Sequence, residues 1–331
     1  MQRKTRTLPI STRCIWSCAV VAAIACSHGS IAGEKPRILK EHQDNIYQLA
    51  ITADGRQMAS ASGDNTAGIW ELQAGQMQHA LSHDGPVYTV AFSPDGRQLA
   101  SGSGDGHVTL WSVPDGTLLR RSRCHGDAVY CLAYAPDGQL LATAGGNGDG
   151  GDTVCRLLNT ETLEVVAEFS GHTRPVYGLA FAPDAKTLAT ASRDKTVRLW
   201  SVPGGDCRVL TGHNSDVYRC AFSPDGHQLA TASQDATVRV WDVSSGRCNR
   251  ILPGGKDPVY AVAFSPRGEW LAAVGDDCRL RVWDVKNGRL ALETKLSREA
   301  LYALTFSPDG ESIAVAGADT AIHSSRFVLQ Q

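Results

Sequence analysis

The chain has 331 residues, 42% of them hydrophobic and 20% charged, a balance that suits a folded globular protein and excludes a disordered one. A formal net charge of −2 leaves no basic surplus for gripping a phosphate backbone, so nucleic acid is not an expected partner.

In chain order, residues 1–32 read as a secretory signal peptide. Arg3, Lys4, Arg6 and Arg13 precede any acid, and the apolar run "CIWSCAVVAAIAC" (14–26) has signal-core length and is short for a bilayer span. Small Ser30 and Ala32 suit cleavage after Ala32, which predicts an exported protein, periplasmic or secreted. The alternative is a lipoprotein attached at Cys26; membrane association is expected only in that case or if the leader stays uncleaved. Of ten cysteines, three lie in the leader, and the other seven form no CxxC pair. A zinc site is therefore not expected, and these residues are read as small buried thiols, with one or two disulfides left open.

From residue 36 to 331 the chain repeats itself as one domain. "PVYTVAFSPDG" (86–96) returns in drifting copies that place tyrosine at 47, 88, 130, 177, 218, 260 and 302, with spacings of 41, 42, 47, 41, 42 and 42 residues. A fixed period of this size signals a repeat architecture. Within one unit, "VYTVAF" reads as a strand, "SPDG" as a turn, "RQLASGS" as a second strand, and "HVTLWSV" and "TLLRRSR" as a third and fourth. Four short strands make one antiparallel sheet per unit, too small to stand alone. Seven such sheets close into an all-β, seven-bladed propeller that needs no second copy, so a monomer is expected.

"LASGSGDGHVTLW" (99–111), "LATASRDKTVRLW" (188–200) and "LATASQDATVRVWDV" (229–243) resemble the WD-repeat family, here as an exported, bacterial-type member. The resemblance implies that residues 35–41 complete the last blade, whose inner strands come from 301–325. It also implies a buried tetrad in each blade: His42, Ser60, Asp64 and Trp70; His83, Ser101, Asp105 and Trp111; His172, Thr190, Asp194 and Trp200; His213, Thr231, Asp235 and Trp241. Five histidines (with His125), each beside an aspartate and a hydroxyl, are read as structure and not as catalytic triads, since a hydrolase needs one triad and an oxyanion hole. Spread around a ring, they do not converge on a metal ion. The insertion "GGNGDGGD" (145–152) opens like a calcium loop through Asn147 and Asp149 but lacks the closing acid, and reads as a Gly-rich loop.

The pattern decays in three units. The third has Leu158 in place of Trp, the sixth has Gly255 and Ala273 for His and hydroxyl but keeps Asp277 and Trp283, and the seventh has Ser297, Val315 and Ser325 around Asp319. The closing blade is expected to be the least stable part of the ring.

In the family, the residue after the aliphatic start of each innermost strand lies at a bulge on the top rim and is a frequent partner contact. Here that residue is Tyr47, Tyr88, Tyr130, Tyr177, Tyr218, Tyr260 and Tyr302. Two neighbouring rim positions per blade add polar groups, notably Asp216, Arg193, Gln234 and Asp276. The implied function is a non-catalytic scaffold holding a protein or peptide on this face, with no cofactor. The alternative is a small-molecule or glycan binder, or a propeller enzyme, using the channel mouth. Whether the tyrosines bind a partner or merely plug the channel stays open at this point.

Overall fold

The computed structural model describes residues 30–31, 37–147 and 151–328, all strands and turns without a helix. The leader ahead of Ser30, the expected cleavage site at Ala32, Cys26 and Asp149 lie outside the described residues.

The period becomes seven antiparallel sheets around a common axis. Their innermost strands are Ile46–Ile51, Val87–Phe92, Val129–Tyr134, Val176–Phe181, Val217–Phe222, Val259–Phe264 and Leu301–Phe306. In blade two the further strands are Gln98–Ser103, His107–Ser112 and Leu118–Arg123, matching the sequence reading closely. In the last blade the third strand, Ile322–Val328, pairs with Arg37–Leu39 at one end and with Ser30–Ile31 at the other. The segment expected to complete that blade does so, and the Ser30–Ile31 pairing adds a fifth strand that the repeat did not foretell.

The first hairpin of each unit turns as its chemistry dictates. Ser93 Oγ donates to Asp95 Oδ1 at 2.6 Å and accepts the Gln98 amide at 2.9 Å, while Asp95 Oδ1 takes the Arg97 amide at 3.0 Å. Gly96 closes the turn at φ 70°, a conformation that disfavours any side chain.

Apolar burial lies between blades, with no central core. Seven separate clusters each join one blade to the next. Ala59, Ala61 and Ile69 of blade one, for example, pack against Val87, Val90 and Leu99 of blade two. Second strands are buried on both faces, which is why Ala-x-Ala recurs in them: small side chains let neighbouring sheets approach. The closing cluster joins Leu39, Ile46, Leu49, Met58 and Trp70 to Ala314, Ala316 and Ile322. The seven cysteines beyond the leader are free thiols, four of them buried, as the first of the two sequence readings held.

In the strand that completes the last blade Leu39 is 5% exposed and packs in the closing cluster, whereas its neighbour Ile38 is 49% exposed. Leu39→Ala is expected to lower stability by about 2–4 kcal/mol and Ile38→Ala by less than about 0.5 kcal/mol, read from urea denaturation midpoints.

Candidate functional site at the channel mouth

The loops at the channel mouth are held by polar networks between blades. In blade five, Trp241 Nε1 donates to Thr231 Oγ1 at 2.9 Å, and His213 lies 2.8 Å from Thr231 Oγ1 through Nε2 and 2.8 Å from Asp235 Oδ2 through Nδ1. An indole N–H only donates, so the hydroxyl accepts it and passes its own proton toward His213 Nε2. The imidazole is then neutral, and Nδ1–H donates to the carboxylate. Blades one and four repeat this arrangement through His42, Ser60, Asp64 and Trp70, and through His172, Thr190, Asp194 and Trp200.

Blade two departs from it. His83 keeps Ser101 at 2.7 Å, and Trp111 donates to the same hydroxyl at 2.8 Å, but His83 Nδ1 faces the Leu81 carbonyl instead of Asp105. Asp105 is drawn away by Ser103 Oγ at 2.6 Å, Arg121 at 2.8 Å and His107 at 3.1 Å. The expected fourth member of that tetrad is therefore absent from it.

Three decayed blades are repaired from a position that the sequence reading overlooked, two residues before the Trp site. In blade three Arg156 reaches Asp152 at 2.5 Å and His125 Nδ1 at 2.7 Å. His125 keeps both tetrad partners, with Nδ1 3.1 Å from Asp152 Oδ2 and Nε2 3.0 Å from Thr143 Oγ1. Leu158 in place of Trp leaves that hydroxyl free to accept. In blade six Arg281 takes the histidine's place, donating to Asp277 at 2.5 Å and Glu293 at 2.8 Å. A Cβ at Gly255 would stand 2.8 Å from the Arg281 guanidinium, so the missing histidine makes the room. In blade seven His323 and Ser297 share Asp319 at 2.6 and 2.8 Å. Ser325, at the Trp site, is buried with no partner for its hydroxyl among the described residues. Of the insertion, Asp152 is thus engaged by the tetrad and the Asp127 carboxylate caps its amide at 2.8 Å.

The environment of the networks shifts the groups within them. For Asp235, burial works against ionisation, but hydrogen bonds from Thr237, the Asn214 amide and His213 outweigh it and hold the carboxyl at about 2. Burial keeps His213 and His83 below the ordinary histidine value, against the pull of Asp235 and of Asp105.

Above the networks, each innermost strand carries a bulge at its tyrosine. Register skips from Ile46↔Ser62 to Gln48↔Ala61 in blade one, leaving Tyr47 as the extra residue, and the same skip falls at the tyrosine in the other six. The seven rings form a closed circuit. Their centroids are 5.2, 5.1, 5.5, 5.6, 5.1, 5.3 and 6.0 Å apart from Tyr47 through Tyr302 and back, tilted or edge-on. They encircle a cavity of about 150 Å³, so the mouth is narrowed but not filled. Burial raises every phenol above its ordinary value, Tyr130 to about 12, and the ring is neutral.

The two neighbouring rim positions are bonded to one another. The amides of Gly63, Gly104, Arg193, Gln234, Asp276 and Ala318 reach the carbonyls of Asn45, Pro86, Pro175, Asp216, Pro258 and Ala300 at 2.8–3.0 Å. In blade three Gly146 takes this role, because the insertion displaces Gly151 from it. The glycines serve the ring: a Cβ at Gly63 would stand 3.3 Å from the Tyr47 hydroxyl, and one at Gly104 3.3 Å from the Tyr88 ring. Among the polar rim residues, Arg193 lies 3.7 Å from Asp216, Gln234 accepts from Ser215 at 3.0 Å, and Asp276 takes the Tyr260 hydroxyl at 3.4 Å.

Blades pinned by His–Ser/Thr–Asp–Trp networks around a channel ringed by one aromatic residue per blade define a class of β-propeller. A family model described as IFT122 first beta-propeller matches residues 86–323, and one described as WD domain, G-beta repeat matches residues 33–71. The first covers more than half of the chain, which belongs to the WD-repeat propellers. No curated protein matches it. Propellers of this kind are commonly protein-interaction scaffolds and generally lack enzymatic activity.

The networks set the response to acid. His83 and His213 bind protons more weakly folded than unfolded, so their contribution is present above the ordinary 6.5 and is lost as pH falls below it. The Asp235 contribution is full above 3.8 and is lost as pH falls toward about 2. Urea midpoints are expected to hold above about pH 7, to fall as pH drops below about 6.5, and to fall again below about pH 4. His213→Ala is expected to lower stability by about 1–3 kcal/mol and flatten the first of these declines.

Proposed function

We propose that this protein is an exported, non-catalytic scaffold that holds a protein or peptide partner on its tyrosine-ringed face. The closed ring of half-buried phenols carries the reading. Each ring is braced by two neighbours, so little side-chain entropy remains to be lost on binding, and its neutral hydroxyl is a donor on an otherwise apolar surface. Blades four to six add Arg193, Asp216, Gln234 and Asp276 around it, the charged and amide groups that would set orientation. The conspicuous acid–base groups of the chain, the tetrad histidines and aspartates, are occupied in holding the blades and line neither cavity of the channel. The leader supports export, and the intact mass of the purified protein distinguishes cleavage after Ala32 from lipidation at Cys26.

Substituting Tyr88, Tyr177 and Tyr260 by Ser together tests the face. Partners that co-purify with the unaltered protein from its own cells are expected to be lost, with only a small change in melting temperature. Undiminished partners together with a lowered melting temperature would show that the ring is a plug.

A further inference from the structure

Below the tyrosine ring the channel continues as a second cavity of about 130 Å³. Gln48, Cys131, Arg219, Ala261 and Ala303 line it, each the residue directly after a tyrosine. Four blades have a small residue at that position, among them Gly178, where a Cβ would stand 2.9 Å from the Arg219 Cα. Blade five has the one long cation. Arg219 lines the upper cavity as well and so sits at the junction of the two.

The guanidinium at this point faces the channel with no acid beside it among the described residues. Nη1 donates to the Tyr177 carbonyl at 2.7 Å, and no carboxylate lines either cavity. The titratable groups that bear on it are the Cys131 and Cys220 thiols, which burial pushes up, Cys131 to about 12, so neither supplies a counter-charge. Burial in turn holds Arg219 below the ordinary arginine value. Across the cavity, Gln48 Oε1 is buried without a hydrogen-bond partner among the described residues. Asp216 and Asp276 stay on the rim and line neither space. A half-buried cation without an anion favours an anionic ligand, and a guanidinium fork matches a planar oxyanion with two parallel donors.

We propose that the channel is a binding site for a small organic carboxylate, with its head group on the Arg219 guanidinium and its apolar body among the tyrosine rings. The site shares the tyrosine rings with the face proposed to hold a partner, so a partner seated there would cover its entrance. Entry is from the tyrosine face, since the upper cavity is bounded by the seven phenols and has Arg219 at its floor.

Isothermal titration of the whole protein with sodium benzoate, benzamide and inorganic phosphate tests it. Benzoate is expected to bind once per chain, and neutral benzamide and tetrahedral phosphate at least about tenfold more weakly. Arg219→Gln is expected to weaken benzoate at least about tenfold without lowering the melting temperature of the free protein. Arg219→Lys, which keeps the charge but loses the fork, is expected to fold and to bind several-fold more weakly. No benzoate binding, equal binding by either variant, or tighter binding of phosphate overturns the proposal. A lowered melting temperature in both variants, with benzoate affinity unchanged, would reduce Arg219 to an anchor for the Tyr177 carbonyl.

Discussion

A four-stranded blade has two apolar faces and can cover neither by itself. Everything else in the molecule follows from that constraint. Each face is covered by the next blade, so burial is laminated into seven interfaces and the last one has to be made by residues from both ends of the chain. The second strand of every blade lies between two neighbours and is buried throughout, so its polar groups must be satisfied within the interface. The tetrads meet that demand: they turn an obligatory polar requirement into fixed blade spacing.

The decayed blades show that the requirement belongs to the interface and not to particular residues. Blades one, two, four and five end the second strand with Ser62, Ser103, Ser192 and Ser233. In three of these the serine hydroxyl accepts the amide of the tetrad aspartate, and in blade two Ser103 donates to Asp105 itself. Blades three, six and seven have Gly145, Gly275 and Gly317 there, and these are the blades that hold their aspartate with Arg156, Arg281 and His323. One support is lost and another is gained in the same unit, so the aspartate is never left to its burial alone. The tight approach at these glycines, where a Cβ would meet the carbonyls of Ala128, Pro258 and Ala300 at 1.8–2.1 Å, goes with the same exchange.

That exchange also marks how far the sequence could be read. The period and the strands of each unit were legible because they are set by spacing and by local turn chemistry, whereas the closing segment and the tyrosine at a rim bulge were implied by the resemblance to WD-repeat propellers. The failures of His, Ser/Thr and Trp in three blades were legible too, but only as absences. Their repair was not, since a basic residue two before the Trp site also stands in the intact fourth and fifth units, as Arg198 and Arg239, and so does not mark the decayed ones. Asp105 was misplaced for a related reason. Its motif is intact, and what turns it away is Arg121 on the next strand, together with His107 in a position where other blades carry Thr66, Thr196 and Thr237.

The tyrosine ring is the point where repetition reaches its limit. A bulge at the same place in seven blades brings seven side chains to the axis at ring-contact distance, and mutual packing can satisfy seven identical aromatic groups. It cannot satisfy a charge, because seven copies of one cation at an axis would repel one another. A charge there must be unique and must find its counterpart outside the pattern. Arg219 is such a group: "DVYRCAF" is the one copy with a charge directly after the tyrosine, and the blades around it present Ala, Gly and thiol to that space. Duplication accounts for the ring, but it does not account for the arginine beneath it, and on that ground the proposed carboxylate site is placed at Arg219, where the two cavities meet.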